Sequence, residues 1–286
     1  MTFGNWIVVA SALVVLARSV VEAGELQPGN ATAFQEIRRF AAAEATQGVA
    51  VDAGFFYAVG NREIGKYDKE SGRKVAAWRD ADGGRFVHLN ACAVIDDRLY
   101  CAHSNYPDVP MLSSIEVFDP KTLEHVTAHD LGAGAGSATW VDRRAGRWWV
   151  AFANYDGKGG EPGKGAERTS VVAFDDKWRR IEAYSFPPEV VERFRPYSNS
   201  GGAWGRDGML YVTGHDAAEV YVLRLPDAGS VLALSRVLAA PVAGQGIAWD
   251  PSDPGLLYGI VKSRREVVVS RLVSVTTPAA SHPRIP

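Results

Sequence analysis

The sequence predicts an all-β fold, a five-bladed β-propeller, and three observations carry that expectation. A two-stranded pattern recurs five times along the chain. Its spacing is close to the roughly 40–50 residues of a four-stranded antiparallel blade. The last copy also lacks an outer strand, which a segment ahead of the first copy can supply to close the ring.

The repeating unit is a Gly or other small residue, three or four apolar residues, an Asp- or Gly-containing turn, and an aromatic-apolar strand. Its copies are GVAVDAGFFYAVG (48–60), ACAVIDDRLYCAH (91–103), ATWVDRRAGRWWVAF (138–152), GAWGRDGMLYVTGH (202–215) and GIAWDPSDPGLLYGI (246–260). The second-strand aromatics fall at Tyr57, Tyr100, Trp149, Tyr211 and Tyr258, with spacings of 43, 49, 62 and 47 residues. Third strands are expected at 113–120, 169–176, 219–226 and 266–272, and fourth strands at 122–131 and 178–186. The last copy stops after its third strand, because 273–286 reads as a flexible, Pro-containing tail. Phe34–Ala45 is the segment left to complete it. Thr32 and Gln35 sit at capping-box spacing and favour a helix there, but ring closure demands a strand. The longest interval holds PPEVVERFRPYSNS (187–200), read as a short helical excursion between blades. A six-bladed ring with a degenerate blade in 154–200 is the alternative. A sandwich would account for the strands but not for their fivefold recurrence.

The propeller domain is expected over 24–272, behind a secretory signal at 1–23. The apolar run Trp6–Ala17 has 12 residues, short of the roughly 20 that span a bilayer, and Val21 and Ala23 stand at −3 and −1 before Gly24. No Lys or Arg precedes that run, so an uncleaved anchor is the other reading. Asn30-Ala31-Thr32 is a glycosylation sequon in a eukaryotic secretory pathway. The chain has two cysteines, Cys92 and Cys101. If Asp96-Asp97 forms a two-residue turn, they face each other as a non-hydrogen-bonded pair about 4.5 Å apart at Cα, which suits a disulfide. A disulfide implies an oxidising compartment, so the expected location is secreted or periplasmic, with no membrane span after signal removal. Two buried free thiols are the alternative. With 31 Lys+Arg against 33 Asp+Glu, the chain lacks the basic excess of a nucleic-acid binder. A monomer with a small-molecule ligand is the expected state.

Let the strands of a blade run A to D from the axis outward. The residues leading into A and the B–C turn then share one mouth of the ring, and the A–B turn lies at the other. The first mouth collects Gln47, His88, Asn90, Ser137, 198–200 and Gln245 from the A side. From the B side it collects Asn61, His103, Asn105, Tyr106, Asn154, Tyr155, His215 and Asp216. Three of the six histidines fall there. The opposite mouth carries Asp96-Asp97, Arg143-Arg144, Arg206-Asp207 and Asp253, read as solvated turn chemistry. Each mouth residue also has a bland reading. His88 and His103 can bond turn backbone, His215-Asp216 can close an Asx-type turn, and Gln47 and Gln245 can satisfy channel backbone. GKGGEPGKG (157–165) lacks the order of a phosphate-binding loop and reads as a mobile cover over the mouth, with Arg168 at its end.

The stretches HLNACAV, LYCAHSNYPDVPMLSSIEVFD, SGGAWGRDGMLYVTGHD and GQGIAWD resemble a group of secreted propellers labelled cycloisomerase-like, of the lactonase and carboxymuconate-cyclase type. The resemblance spans most of 34–272 and implies interconversion of an unsaturated dicarboxylate and its lactone. Such chemistry needs a group that moves a proton beside a carboxyl, plus donors that hold the carboxylates. His103 is the expected acid/base, with His215 oriented by Asp216 as its counterpart. Asn90, Asn105, Tyr106, Tyr155, Gln47 and Arg168 are the expected substrate-binding residues. No paired-arginine clamp is visible, which counts against a dicarboxylate. A second reading places one divalent metal ion on His88, His103, His215 and Gln245, in a hydrolase or lyase. A third is a non-catalytic binding propeller with a pocket of Tyr106, Tyr155, Trp140 and Trp204.

Overall fold

The computed structural model describes residues 31–275. The signal reading and the tail beyond Val275 lie outside the described residues. Five four-stranded antiparallel sheets form the ring, so the five-bladed expectation holds and 154–200 contains no further blade. The chain starts in β1 (Ala31–Ala41), and blade one is β2 (Gly48–Val51), β3 (Phe55–Gly60), β4 (Glu63–Asp68) and β5 (Lys74–Arg79). Blade two is β6 (His88–Ile95), β7 (Arg98–Ser104), β8 (Leu112–Phe118) and β9 (His125–Ala133). Blade three is β10 (Ser137–Arg144), β11 (Arg147–Ala153), β12 (Ser170–Phe174) and β13 (Arg180–Ser185). Helix α1 (Pro188–Phe194) precedes blade four, which is β14 (Gly201–Trp204), β15 (Leu210–Thr213), β16 (Glu219–Arg224) and β17 (Ala233–Ala239). Blade five is β18 (Ala248–Trp249), β19 (Leu256–Val261), β20 (Glu266–Val275) and, as its outer strand, β1.

β1 pairs antiparallel with β20 from Ala31↔Val275 to Ala41↔Glu266. The closing strand is therefore real, but it begins before Phe34 and ends at Ala41. β20 correspondingly runs to Val275, so 273–275 are strand and not tail. Joining the two chain ends this way leaves blade five no open outer edge.

Period-two alternation packs the blades against each other, because successive side chains point to opposite faces of a sheet. In β11, Trp148, Val150 and Phe152 pack against Ala102 and Ile115 of blade two. The intervening Trp149 and Ala151 pack against Leu210, Val212 and Tyr221 of blade four. The other three interfaces are built alike, around Tyr57, Leu89 and Leu99, around Tyr211, Leu238 and Leu257, and around Phe56, Tyr258 and Ile260. The recurring second-strand aromatic also ties its own hairpin. Tyr57 Oη donates to Asp52, Tyr211 Oη donates to Asp207 at 2.8 Å, and Trp149 Nε1 donates to the Arg144 carbonyl.

The inner strands β2, β6, β10, β14 and β18 touch in sequence around the axis. Small residues permit that approach. A Cβ on Gly246 would stand 2.6 Å from Ala91 Cβ and 2.7 Å from Gly48 Cα, and one on Gly201 would stand 2.2 Å from the Gln245 carbonyl oxygen. Gly246 N donates to the Gln47 carbonyl across the ring. This waist separates one axial cavity from another.

Candidate active site

The cavity at the mouth predicted from the repeat measures about 450 Å³. Gln47, His88, Asn90, Tyr106, Tyr155, His215 and Gln245, all singled out from sequence, line it. Two bulges aim side chains at it, one spanning Asn90 in β6 and one at Thr139 in β10, as bulges do where a strand must redirect a residue. Asn90 Nδ2 donates to the Ala138 carbonyl of the next blade. Thr139 lines the cavity 2% exposed, and its hydroxyl has no hydrogen-bond partner among the described residues. A buried polar atom left unpaired calls for an explanation, and a ligand is one.

Four basic side chains define the electrostatics: His88, His215, Lys158 and Lys262. None of the described residues lining the cavity is Asp or Glu. Burial pushes His88 down to about 4, so it is neutral at neutral pH. Its ring lies 5.0 Å from that of Tyr106, which in turn lies 5.0 Å from Tyr155. His215 is also held below the ordinary imidazole range, by burial against a partly compensating Asp216 and with Lys262 adding to the depression. Its Nδ1 sits 2.7 Å from Asp216 Oδ1, and its ring stacks on Tyr197 at 3.9 Å. With Nδ1 donating to the carboxylate, Nε2 carries the free lone pair. Gln245 adopts φ +65° and donates from Nε2 to the His215 carbonyl, which fixes the backbone of that histidine. A non-Gly residue in the left-handed region costs free energy and is found at functional sites more often than elsewhere.

Several expected members are elsewhere. His103 is turned into blade two, where its Nε2 accepts from Val87 N and its Nδ1 donates to Ser114 Oγ. Ser114 passes the hydrogen bond to Glu116, a fully buried carboxylate that also binds Arg85 and His125. Its ring meets Phe86 edge-on at 5.6 Å. His103 therefore bonds backbone and a buried network, and it is not among the residues that line this cavity. Asn105 closes its own loop, accepting from Leu112 N and donating to the Pro110 carbonyl. Arg168 lines a separate surface cleft with Lys164 and Arg180. Trp140 is fully buried between blades, donating to Asn199, and Trp204 lines the opposite mouth. The three-histidine metal site is not assembled: among the described residues no three His, Cys, Asp or Glu side chains come together to hold a metal ion.

Sequence reasoning missed Lys158, Lys262, Tyr197 and Thr139. Lys262 follows β19 at the B–C turn of blade five, a position the repeat itself identifies as belonging to this mouth. Lys158 lies in the 157–165 loop, which covers part of the cavity. At Gly159, φ is +79° and a Cβ would stand 2.4 Å from the Tyr106 ring. Only glycine lets the loop lie down on that aromatic.

The cysteines form the disulfide, paired in register at a Cα separation of 4.0 Å across β6 and β7. Asp96 and Asp97 both take positive φ, as a two-residue hairpin turn requires. No helix among the described residues is long and apolar enough to cross a membrane.

No protein-family profile matches this chain, and no curated protein sequence does. Solved structures do. Myxococcus xanthus glutaminyl cyclase superposes with a TM-score of 0.56 at 16% identity, covering 87% of this chain and 100% of that one. The PQQ-bound aldose sugar dehydrogenase of Streptomyces coelicolor gives 0.52 at 11% identity, covering 86% of this chain and 100% of the other. At such identities the likeness is one of fold, so the chain is a β-propeller whose architecture is shared with enzymes of unrelated chemistry.

Proposed function

We propose that this propeller acts on a small organic acid or its lactone at the axial mouth, as a cycloisomerase- or lactonase-like enzyme of an oxidising compartment. The observation that carries the reading is a cavity lined by two lysines and two imidazoles with no lining carboxylate among the described residues. Sequence alone offered no anion clamp. Lys158 and Lys262 supply one, as point charges able to hold carboxylate oxygens. Occurrence of enzymes on this fold is compatible with catalysis.

In this reading His215 is the acid/base and Asp216 its positioning residue. Nε2 removes the proton from the carbon beside the free carboxylate of the lactone. That C–H pair becomes the new C=C bond, and the ring C–O bond breaks to release the second carboxylate. In reverse, protonated His215 returns the proton as the carboxylate closes on the double bond. Lys158 and Lys262 stabilise the charge that grows on the leaving carboxylate. His88, neutral throughout the working range, donates or accepts a hydrogen bond without adding charge.

Titration of the protein with cis,cis-muconate and with its lactone, followed by calorimetry and by loss or gain of diene absorbance, tests this. Lys262→Ala and Lys158→Ala should each weaken binding about tenfold. His215→Gln should lower kcat at least about a hundredfold with KM little changed. Undiminished anion affinity in the doubly substituted lysine variant would end the proposal. Retained binding with no turnover of any lactone would instead identify a non-catalytic binding propeller, the reading that the pocket's Tyr106 and Tyr155 also fit.

A further inference from the structure

The opposite mouth is not merely solvated turns. The C-terminal halves of the inner strands surround a second cavity of about 260 Å³, walled by Val94, Val141, Ile247, Trp204 and Trp249. Asp142 projects its carboxyl here from the end of β10. It accepts from Arg143 N at 2.7 Å and from Trp204 N at 2.8 Å. No ion-pair partner for it exists among the described residues, although twenty-one ion pairs decorate the rest of the molecule.

Arg206 also lines this cavity, and Arg143, Arg144 and Asp250 stand beside it. Arg143 pairs with Asp96 and Asp176, and Arg144 lies 4.8 Å over the Trp204 ring. Asp250 is buried and neutralised by Lys69, and Arg206 donates to the Pro251 carbonyl. Burial raises Asp142 to about 6, against the backbone hydrogen bonds and Arg144, which favour its charge. At neutral pH the carboxylate is therefore charged, only partly exposed and without a salt bridge among the described residues, an arrangement that a bound cation would stabilise.

We infer that this second cavity binds a small primary ammonium compound, with the ammonium on Asp142 and a compact apolar group against Val94, Val141 and Ile247. Trp249 supplies an indole to the wall that suits a cation, the Trp204 ring being already beneath Arg144. The volume, below that of a drug-sized site, limits the ligand to a few carbon atoms. Gly48, Ala91 and Gly246 fall between the residues that line this site and those that line the basic cavity. The site is independent of the function proposed above.

The test uses n-butylammonium chloride as the probe, by calorimetry and tryptophan fluorescence on the intact protein. One saturable site is expected at about pH 8, with affinity reduced about tenfold or more at about pH 5, where Asp142 is protonated. n-Butanol, equal in shape and uncharged, should bind at least about tenfold more weakly. Asp142→Asn should abolish binding, while Lys158→Ala should leave it unchanged. Equal affinity for butanol, a pH-independent affinity, or failure to saturate each overturns the inference. So does a folded Asp142→Asn protein that binds as tightly as wild type. The pH series on the unaltered protein keeps the question decidable if that variant does not fold.

Discussion

His88 reports how far a single side chain's environment departs from water. Its folded value of about 4 lies below the ordinary 6.5, so between those values the unfolded chain binds more protons than the folded one. Stability therefore rises with pH across that window and falls again as the pH drops from about 6.5 to about 4, by about 3 kcal/mol for this one group. His103 and His215, also depressed by burial, add in the same direction. Asp142 opposes them: its folded value is raised, so its contribution is full below about 4 and is lost as pH rises through about 6. His88→Gln should flatten the acid limb of urea midpoints measured across this range. An unchanged slope would mean that burial of His88 is not the cause. At this scale sequence was a partial guide. His88, Asn90, Gln47 and His215 were placed by strand register alone. His103 misled because Glu116, distant from it in sequence but adjacent across β7 and β8, supplies a buried partner network that turns the ring into the blade.

Hairpins and inner strands obey rules that a sequence reader can count. The Cys92–Cys101 bridge follows from a two-residue turn and strict alternation, which is why the pairing was legible. Its loop spans a sequence separation of 9. Chain-entropy reasoning assigns such a loop about 3 kcal/mol. Cys92→Ser with Cys101→Ser should lower stability by about that much without moving the axial residues, as equilibrium unfolding with and without reductant will report. Gly246 belongs to the inner strands as a set. A methyl group there meets Ala91 and the Gly48 backbone, so Gly246→Ala should cost about 1–3 kcal/mol through overpacking. Thermal denaturation measures it, and a neutral outcome would mean the waist is looser than the contacts indicate. Bulges were not legible. Nothing local in Asn90 or Thr139 announces the extra residue, and of the five inner strands only β6 and β10 carry one.

The ring stands or falls as a whole, because each blade buries both faces against neighbours. Removing residues up to Ala41 takes away β1, exposes the backbone edge of β20 and strips Phe34 and Phe40 from their interfaces. The truncated chain should aggregate or unfold with low cooperativity, detectable by size-exclusion chromatography and circular dichroism; a monomer as stable as the intact protein would show that closure is dispensable. Here local preference misled at the residue level and topology corrected it, since a segment with helix-capping spacing is a strand once an edge awaits it.

By itself the sequence determined the period: the alternation within strands, the five hairpins, the disulfide register and the assignment of polar residues to one mouth, all of which depend on neighbours a few residues apart. The tertiary structure alone decided which of those polar residues face a common space. Side-chain direction at a strand end, loop or bulge depends on contacts that spacing does not reveal, as the Ser114–Glu116 network does for His103 and the Pro110–Leu112 loop does for Asn105, while Lys158 and Lys262 reach the common space.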